Sequence, residues 1–276
     1  MVDSHPRLPP GEKDFSYDLD SVLGSKSHIH MDGAKPIDRL QRYERVLQTK
    51  IGRTPFDFSG KHVFELGSGP LLGWAPIAVY LGASSYVCVE PQFHPEVLDS
   101  KEIWTRFFLP MHKQLEALFD YNISFMEFNE RIRTRIQVHT RTIEECRLPR
   151  CFADIAISNN VLQHVLPLEQ TIREIQAISK PLCRQFHNVN FTDHVSPPDK
   201  PFQDLYRRSA EEYFSQDSLL NLKRPSDILA MFENAGLNVK LVPYYYDMEL
   251  DRQHVVPYWK RYDTDDLAMQ WAFYVN

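Results

Sequence analysis

A glycine-containing turn and a later carboxylate are the residues of this sequence that point most directly to chemistry. Gly67 and Gly69 follow the short apolar segment 62–66. Glycines at such a position let the backbone approach a ligand closely and leave amide groups facing it. Glu90 ends the next apolar segment, 86–90, and a carboxylate there accepts two hydrogen bonds from the ribose hydroxyls of a nucleoside. The pattern therefore predicts a site for a nucleoside-containing ligand.

The segments around this turn have the order of a strand, a turn, a helix and a second strand. Apolar residues 62–66 predict the first strand, residues 73–81 the helix, and residues 86–90 the second strand. Gly82 directly after the helical segment is typical of a helix C-terminus. Such a βαβ unit places the glycine turn and Glu90 at the ends of its two strands.

Strands and helices continue to alternate along the chain, which predicts an α/β fold with a mostly parallel sheet and helices on both faces. The further strands are predicted at 136–139, 154–157, 183–189, 239–242 and 269–275, and the further helices at 37–51, 168–178 and 225–235. Two helical patterns lie between residues 97 and 133, and the first is broken at Pro110.

The chain divides into a short N-terminal region and one larger domain. Residues 1–34 are polar and rich in proline, and we expect them to have little structure of their own. We interpret residues 1–60 as an N-terminal arm and helix that pack on the core, and residues 61–276 as a single domain. Insertions at about 97–133 and 191–224 interrupt that domain, and the second is polar, aromatic-rich and irregular.

Two classes of nucleoside cofactor use this kind of turn. Dinucleotide enzymes need a third glycine, G-x-G-x-x-G, to pack the helix against the strand, and Leu72 occupies that position here. Turns that bind S-adenosylmethionine, which has no phosphate, typically carry an acidic residue two positions before the first glycine, as Glu65 does. The segment Glu65–Gly69 resembles motif I, E/D-x-G-x-G-x-G, of the class I S-adenosylmethionine-dependent methyltransferases. It departs from the motif at Leu71, and Gly73 follows two residues later.

A second segment extends this resemblance. Residues 152–165, FADIAISNNVLQHV, are similar to the fourth-strand motif of the same family. The resemblance covers about residues 61–276 and implies a Rossmann-like, seven-stranded class I methyltransferase sheet, mostly parallel with an antiparallel last strand. It also implies S-adenosyl-L-methionine as the cofactor.

The resemblance assigns a set of residues to the cofactor. They are Glu65, which supports the turn; Gly67 and Gly69, which approach the methionine part, with Ser68 between them; Glu90, which holds the ribose; Thr142 and Ile143, beside the adenine; and Ser158 and Asn159, at the amino acid end. The family often has an acidic residue just before the adenine contact, and Arg141 does not supply one.

Histidines near the predicted carboxyl edge of the sheet are candidates for the catalytic base. His194 follows the fifth predicted strand, and Asp193 directly before it would fix the imidazole tautomer. His164, after the fourth strand, is the second candidate, whereas His187 lies within a strand and is interpreted as a core residue. The run from His187 to His194 resembles an H-x-I-D-x-x-D-H segment in methyltransferases of bacterial polysaccharide and sugar-modification clusters, with Asn190 replacing its acidic residue. Adjacent Asp and His also suit a divalent ion, but we assign no metal site.

Composition excludes several functional classes. The chain has 276 residues, with Lys and Arg numbering 31 and Asp and Glu 37, so its net charge is −6. It lacks the basic excess that is typical of nucleic-acid binding. The 4 cysteines are too few for a secreted disulfide scaffold. We expect neither a signal peptide nor a membrane span, because the first residues include no apolar stretch and no apolar run in the sequence has membrane-spanning length.

We therefore expect a cytoplasmic methyltransferase that uses S-adenosylmethionine. The expected reaction is O-methylation of a small-molecule or glycan acceptor, a sugar or a related metabolite, and the sequence is compatible with a homodimer. The first alternative is a catalytically inactive S-adenosylmethionine-binding or scaffold protein. The second is a nicotinamide-dependent oxidoreductase on a Rossmann-like fold, against which Leu72 argues. A nitrogen or carbon methyltransferase ranks lower, because Asn159-Asn160 does not match the Pro-Pro-Tyr pattern of amine and amide methylation.

Overall fold

The computed structural model describes residues 18–24, 31–52, 56–193, 202, 205–216, 220–247, 250 and 252–276. These residues form two compact units. The N-terminal unit comprises the described residues up to Asn159 together with Ala177–Arg184, and the C-terminal unit comprises Asn160–Gln176 and Gln185–Asn276. The predicted division of the chain near residue 60 stays a prediction.

The strands follow the predicted order along the chain. They are β1 His62–Leu66, β2 Ser85–Val89, β3 Ile136–His139, β4 Ala153–Asn159, β5 Ser179–Asn190, β6 Lys240–Tyr246 and β7 Met269–Val275. They form one seven-stranded sheet in the order β3-β2-β1-β4-β5-β7-β6. β1 pairs in parallel with β2 and β4, and β2 with β3, whereas β7 runs antiparallel to β5 and β6. The predicted class I methyltransferase sheet with an antiparallel last strand is confirmed.

Helices lie between most of these strands. They are α1 Leu19–Leu23, α2 Ala34–Ile51, α3 Ala75–Tyr80, α4 Lys101–Ile103, α5 Leu109–Leu118, α6 Phe125–Arg135, α7 Ile143–Cys146, α8 Leu168–Ile178, α9 Ala210–Gln216, α10 Pro225–Asn234 and α11 Thr264–Ala268. Short 3-10 helices occupy Pro95–Leu98, Leu205–Arg207, Arg252–His254 and Pro257–Arg261, and a π-helical turn, Trp104–Phe108, joins α4 to α5.

Several elements differ from the sequence-based expectation. The predicted break at Pro110 is wrong: α4, the π-helical turn Trp104–Phe108 and α5 form one continuous helical run over residues 101–118, and Pro110 lies directly after the π-helical turn. Within the predicted arm, residues 1–34, the described residues include one short helix, α1, where Asp18 accepts a hydrogen bond from the Ser21 amide at 2.7 Å. The segment 191–224 is likewise not wholly irregular, because it contains α9.

Each unit has a buried apolar core. In the N-terminal unit, Phe64 of β1 is inaccessible to solvent, and α2 buries one face that includes Leu40 and Tyr43. In the C-terminal unit, Trp259 and Tyr206 belong to a cluster of buried side chains. Among the described residues, none of the helices combines the length and the apolar character needed to cross a bilayer.

Candidate functional site

The carboxyl ends of four parallel strands meet at one edge of the N-terminal unit. Leu66 at the end of β1 lies opposite Val89 of β2 and Ser158 of β4, and Val89 lies opposite His139 of β3. The glycine turn, residues 67–73, therefore leaves the sheet beside the residues that follow β2 and β4. In sheets of this kind, ligands bind outside the carboxyl ends of the strands.

The carboxylate of Glu90 ties the glycine turn to the end of β2. Its Oε2 accepts a hydrogen bond from the Gly69 amide at 2.8 Å, and its Oε1 accepts one from the Gln92 amide at 3.2 Å. Only 8% of the residue is exposed, and this burial raises the pKa of the carboxyl. Each carboxylate oxygen has two lone pairs, so Glu90 can accept further hydrogen bonds in addition to these two.

Gly69 has both the conformation and the space that close approach of a ligand requires. Its φ is 65°, and a Cβ at this position would meet no atom of the described residues within 4 Å. Gly67 also has a positive φ, 73°, but its amide donates to the Val89 carbonyl at 2.8 Å. The open face of the turn is therefore at Gly69, whereas the Gly67 amide is used in joining the turn to β2.

Glu65 lies beneath the glycine turn, where it is 2% exposed. Its Oε2 accepts hydrogen bonds from the Trp74 amide at 3.2 Å and the Tyr86 hydroxyl at 2.9 Å. Burial raises the pKa of the carboxyl from its ordinary value of 4.5 to about 8, so Glu65 is mostly protonated at neutral pH. A Cβ on Gly73 would lie 2.5 Å from both carboxyl oxygens, so the turn has room only for glycine there.

This packing explains why the turn departs from both glycine patterns. Leu72, at the third-glycine position of the dinucleotide pattern, is buried with a φ of 66°, a conformation that is uncommon outside glycine. The position that has no room for a side chain is Gly73 instead, where the backbone packs against the carboxyl of Glu65. The sequence pattern did not predict this contact, although the late glycine, Gly73, was a signal for it.

The predicted adenine residues form the start of α7. Thr142 caps the helix in a reciprocal arrangement, in which its side chain accepts from the Glu145 amide and its own amide donates to Glu145 Oε2 at 3.3 Å. Thr142 is exposed, whereas Ile143 is buried. Their contact with adenine stays a prediction.

Two predicted residues end β4, and a helix supplies a third group beside them. Ser158 is fully buried, and Asn159 is half-buried. The Tyr43 hydroxyl of α2 donates to Asn159 Oδ1 at 3.4 Å. Tyr43 was not among the predicted site residues, and its only signal was a polar group on the apolar face of α2.

The candidates for the base belong to the C-terminal unit. His194, the first candidate, lies outside the described residues. Asp193 is 4% exposed, and its Oδ2 lies 3.7 Å from Nη2 of Arg208, an ion pair that the sequence did not reveal. His164 is exposed on the turn after β4, and its Nε2 lies 3.2 Å from Nε2 of Gln163.

His187 is confirmed as a core histidine. Its Nε2 lies 3.0 Å from Gln185 Oε1, and its ring stacks on Phe232 at a centroid distance of 5.0 Å. Burial lowers the pKa of the imidazole to about 3, so the ring is neutral. Within the described part of the chain, no three His, Cys, Asp or Glu side chains are grouped as a metal ion would require.

Comparison with known proteins shows a likeness of fold. No family model and no curated protein sequence matches the chain. The structure is similar to an S-adenosylmethionine-dependent methyltransferase from Mesorhizobium loti, with 12% identity, a TM-score of 0.48, and coverage of 89% of this chain and 99% of that chain. It is also similar to phosphoethanolamine N-methyltransferase 2 of Haemonchus contortus, solved with S-adenosyl-L-methionine, with 14% identity, a TM-score of 0.48, and coverage of 97% of this chain and 60% of that chain.

Proposed function

We propose that this protein is an S-adenosylmethionine-dependent methyltransferase that acts on a hydroxyl group of a small metabolite such as a sugar. The observation that carries the proposal is the contact between Glu90 and Gly69. Glu90 is buried and can still accept further hydrogen bonds, and the Gly69 amide that it binds belongs to a residue with free space where a Cβ would lie. Ribose hydroxyls are the donors that a carboxylate at this place in the fold binds.

The contacts of Glu65 favour a cofactor without phosphate groups. A pyrophosphate binds through free amide groups at the start of the helix after the turn. Here the Trp74 amide, directly before α3, already donates to the Glu65 carboxyl at 3.2 Å. These contacts favour S-adenosylmethionine over a nicotinamide dinucleotide.

Different residues of the N-terminal unit would bind different parts of the cofactor. Glu90 would accept hydrogen bonds from the ribose, and Gly69 would let the ligand lie against the backbone. The residues proposed at its other parts are Thr142 and Ile143 at the adenine, and Ser158 and Asn159 at the amino acid end. When bound, S-adenosylmethionine supplies an electrophilic methyl group together with its leaving group.

A hydroxyl acceptor must also lose a proton, and an imidazole titrates in the range that suits this task. We retain His194 as the proposed base, with Asp193 as the group that orients it and His164 as the second candidate. When the Gln163 amide donates to Nε2 of His164, that nitrogen must be the unprotonated one. The lone pair of this nitrogen then accepts the hydrogen bond from Gln163 and is not free to take a proton from the substrate. This favours His194 as the base.

Thermal stabilisation by ligands tests the cofactor proposal. A ligand that binds only the folded protein stabilises it by about 2.7 kcal/mol at a hundredfold excess over Kd. We expect S-adenosylhomocysteine to raise the melting temperature of the wild-type protein and NAD to leave it unchanged. Gly69→Ala places a methyl group at the open face of the turn and should weaken S-adenosylhomocysteine binding at least about tenfold, because a modest steric conflict costs that much affinity.

Gly60→Ala is the matched control. Gly60 has a φ of 68° and also an open Cβ position, but it precedes β1. Both variants should lose about 1–2 kcal/mol through backbone strain, and only Gly69→Ala should lose the response to ligand. Stabilisation by NAD alone, or equal loss of the response in both variants, would overturn the cofactor proposal. Binding without methyl transfer to any of a panel of sugars would instead indicate a scaffold protein.

A further inference from the structure

The positive charge of Arg39 on α2 has no negative partner along the helix. Ion pairs on the surface of a helix form between residues three or four positions apart. At these spacings from Arg39, α2 carries Lys35, Pro36, Arg42 and Tyr43. None of these four residues is acidic, so the helix itself does not neutralise Arg39.

The rest of the described chain does not neutralise this charge either. Arg39 is half-buried, and its side chain makes no hydrogen bond or ion pair with a residue that the structure describes. Burial raises the pKa of the Glu65 carboxyl to about 8, and the charge of Arg39 opposes this shift as a lesser cause. Arg39 therefore acts on a carboxyl beneath the glycine turn, but that carboxyl is mostly protonated at neutral pH and is not a counter-ion.

Tyr43, one helical turn after Arg39, indicates which part of the sheet this face of α2 covers. Its hydroxyl donates to Asn159 Oδ1 at 3.4 Å. Glu65 lies opposite Ile157 of β4, and Asn159 is two residues further along that strand, so its side chain leaves the sheet on the same face as Glu65. Because residues one turn apart share a face of a helix, Arg39 and Asn159 both lie over the carboxyl ends of β1 and β4.

The groups that this region offers to a ligand are hydrogen-bond donors. Asn159 accepts from Tyr43 through Oδ1, and its Nδ2 donates to no residue in the described part of the chain. The guanidinium of Arg39 has five N–H donors and no acceptor. A ligand group in this region must therefore accept hydrogen bonds, and the positive charge favours an anion. Carboxylates bind guanidinium groups through two parallel hydrogen bonds.

We infer that Arg39 binds the carboxylate at the amino acid end of the cofactor, beside the amide of Asn159. This assignment rests on the proposed function, in which Glu90 holds the ribose after β2 and Asn159 lies at the amino acid end after β4. β1, which carries Glu65, lies between these two strands in the sheet. S-adenosylmethionine has no phosphate, so its carboxylate is the one anionic group that it can bring to Arg39.

Two ligands that differ only in the carboxylate test this inference. They are S-adenosylhomocysteine and decarboxylated S-adenosylhomocysteine, each titrated by calorimetry into wild type, Arg39→Met and Arg45→Met. Arg45 is the matched control, because it is an exposed arginine on a different face of the same helix. Wild type should bind the ligand with the carboxylate at least about tenfold more tightly than the decarboxylated one.

This ratio of affinities should fall to about one in Arg39→Met and persist in Arg45→Met. The affinity for the decarboxylated ligand should not decrease in Arg39→Met, whereas a merely structural role of Arg39 would weaken both ligands. The Nε–H resonance of Arg39, assigned through its loss in Arg39→Lys, gives a second measurement on the wild-type protein. It should shift strongly with S-adenosylhomocysteine and much less with the decarboxylated ligand, so it decides the matter even if Arg39→Met fails to fold.

Three results would overturn the inference and leave the cofactor proposal standing. The first is wild-type protein that binds the two ligands equally well. The second is an unchanged ratio in Arg39→Met, as expected if Arg39 instead pairs with an acidic group of the methyl acceptor. The third is an equal loss of affinity for both ligands in Arg39→Met. Wild-type protein that binds neither ligand would overturn the cofactor proposal as well.

Discussion

The buried carboxyl of Glu65 should make the stability of the protein depend on pH, and Glu65→Gln should remove that dependence. Burial raises the pKa of this group from 4.5 to about 8 in the folded protein. The folded state therefore holds the proton more tightly than the unfolded state. The stabilisation is complete below about pH 4.5 and is lost as the pH rises through about 8.

The size of the effect follows from the same two pKa values. Each unit of pKa difference corresponds to about 1.4 kcal/mol. The free energy of unfolding should thus fall by up to about 1.4 kcal/mol per pH unit across this window, and by at most about 5 kcal/mol in total. Glutamine has nearly the same shape, and its carbonyl can accept from the Trp74 amide and the Tyr86 hydroxyl as Glu65 does.

Urea denaturation at intervals of about one pH unit, between about pH 5 and pH 9, measures this dependence. The difference between wild type and Glu65→Gln isolates the one carboxyl from all other titrating groups. Glu130→Gln, at an exposed position on α6, is the control and should run parallel to wild type. Parallel curves for wild type and Glu65→Gln would refute the conclusion that a buried, protonated carboxyl supports the glycine turn.

Three further predictions concern single contacts, and urea titration measures each of them. Gly73→Ala brings a Cβ to 2.5 Å from the carboxyl oxygens of Glu65 and should cost about 2–4 kcal/mol; a loss below about 1 kcal/mol would contradict the contact. Arg224→Met removes the donor from four backbone carbonyls that the guanidinium binds, and the free energy of unfolding should fall by at least about 3 kcal/mol. A variant as stable as wild type would show that these hydrogen bonds do not form. A double-mutant cycle of Asp193→Asn and Arg208→Met should give a coupling of about 1–3 kcal/mol for the ion pair, whereas additive effects would exclude it.

The elements that sequence predicts best are those with a long or sharply bounded apolar pattern. β1, β3, α8 and β7 have the predicted bounds. In each of them, apolar residues recur with the period of a strand or a helix, and polar or glycine residues end the pattern.

Short helices and strand extensions depend on contacts that the period of the sequence does not contain. α1 and α11 have five residues each, and side-chain caps from Asp18 and Asp263 fix where they begin. β5 begins at Ser179, before the predicted residue 183, and Lys180 near its start pairs with Asp154 of β4 at 2.6 Å. Pairing between strands sets such an extension, so the residues of one strand alone do not reveal it.

In the candidate site too, the sequence predicts where the segments lie but not the contacts between distant side chains. The order of the segments predicted that the glycine turn and Glu90 follow two strands of one βαβ unit, but it did not predict the hydrogen bond between the Gly69 amide and Glu90. The packing of Gly73 against Glu65 depends on the path of the turn itself. The pairing of Asp193 with Arg208 joins residues that no local pattern connects.

A crystal structure with S-adenosylhomocysteine tests the cofactor site most directly. We predict that the ribose hydroxyls lie within hydrogen-bonding distance of the Glu90 carboxylate and that the ligand lies against Gly69. The Glu90 carboxylate should keep its bond to the Gly69 amide, because its remaining lone pairs suffice for the ribose. A ligand bound elsewhere, or a Glu90 carboxylate that contacts only protein atoms in the complex, would contradict the proposed site.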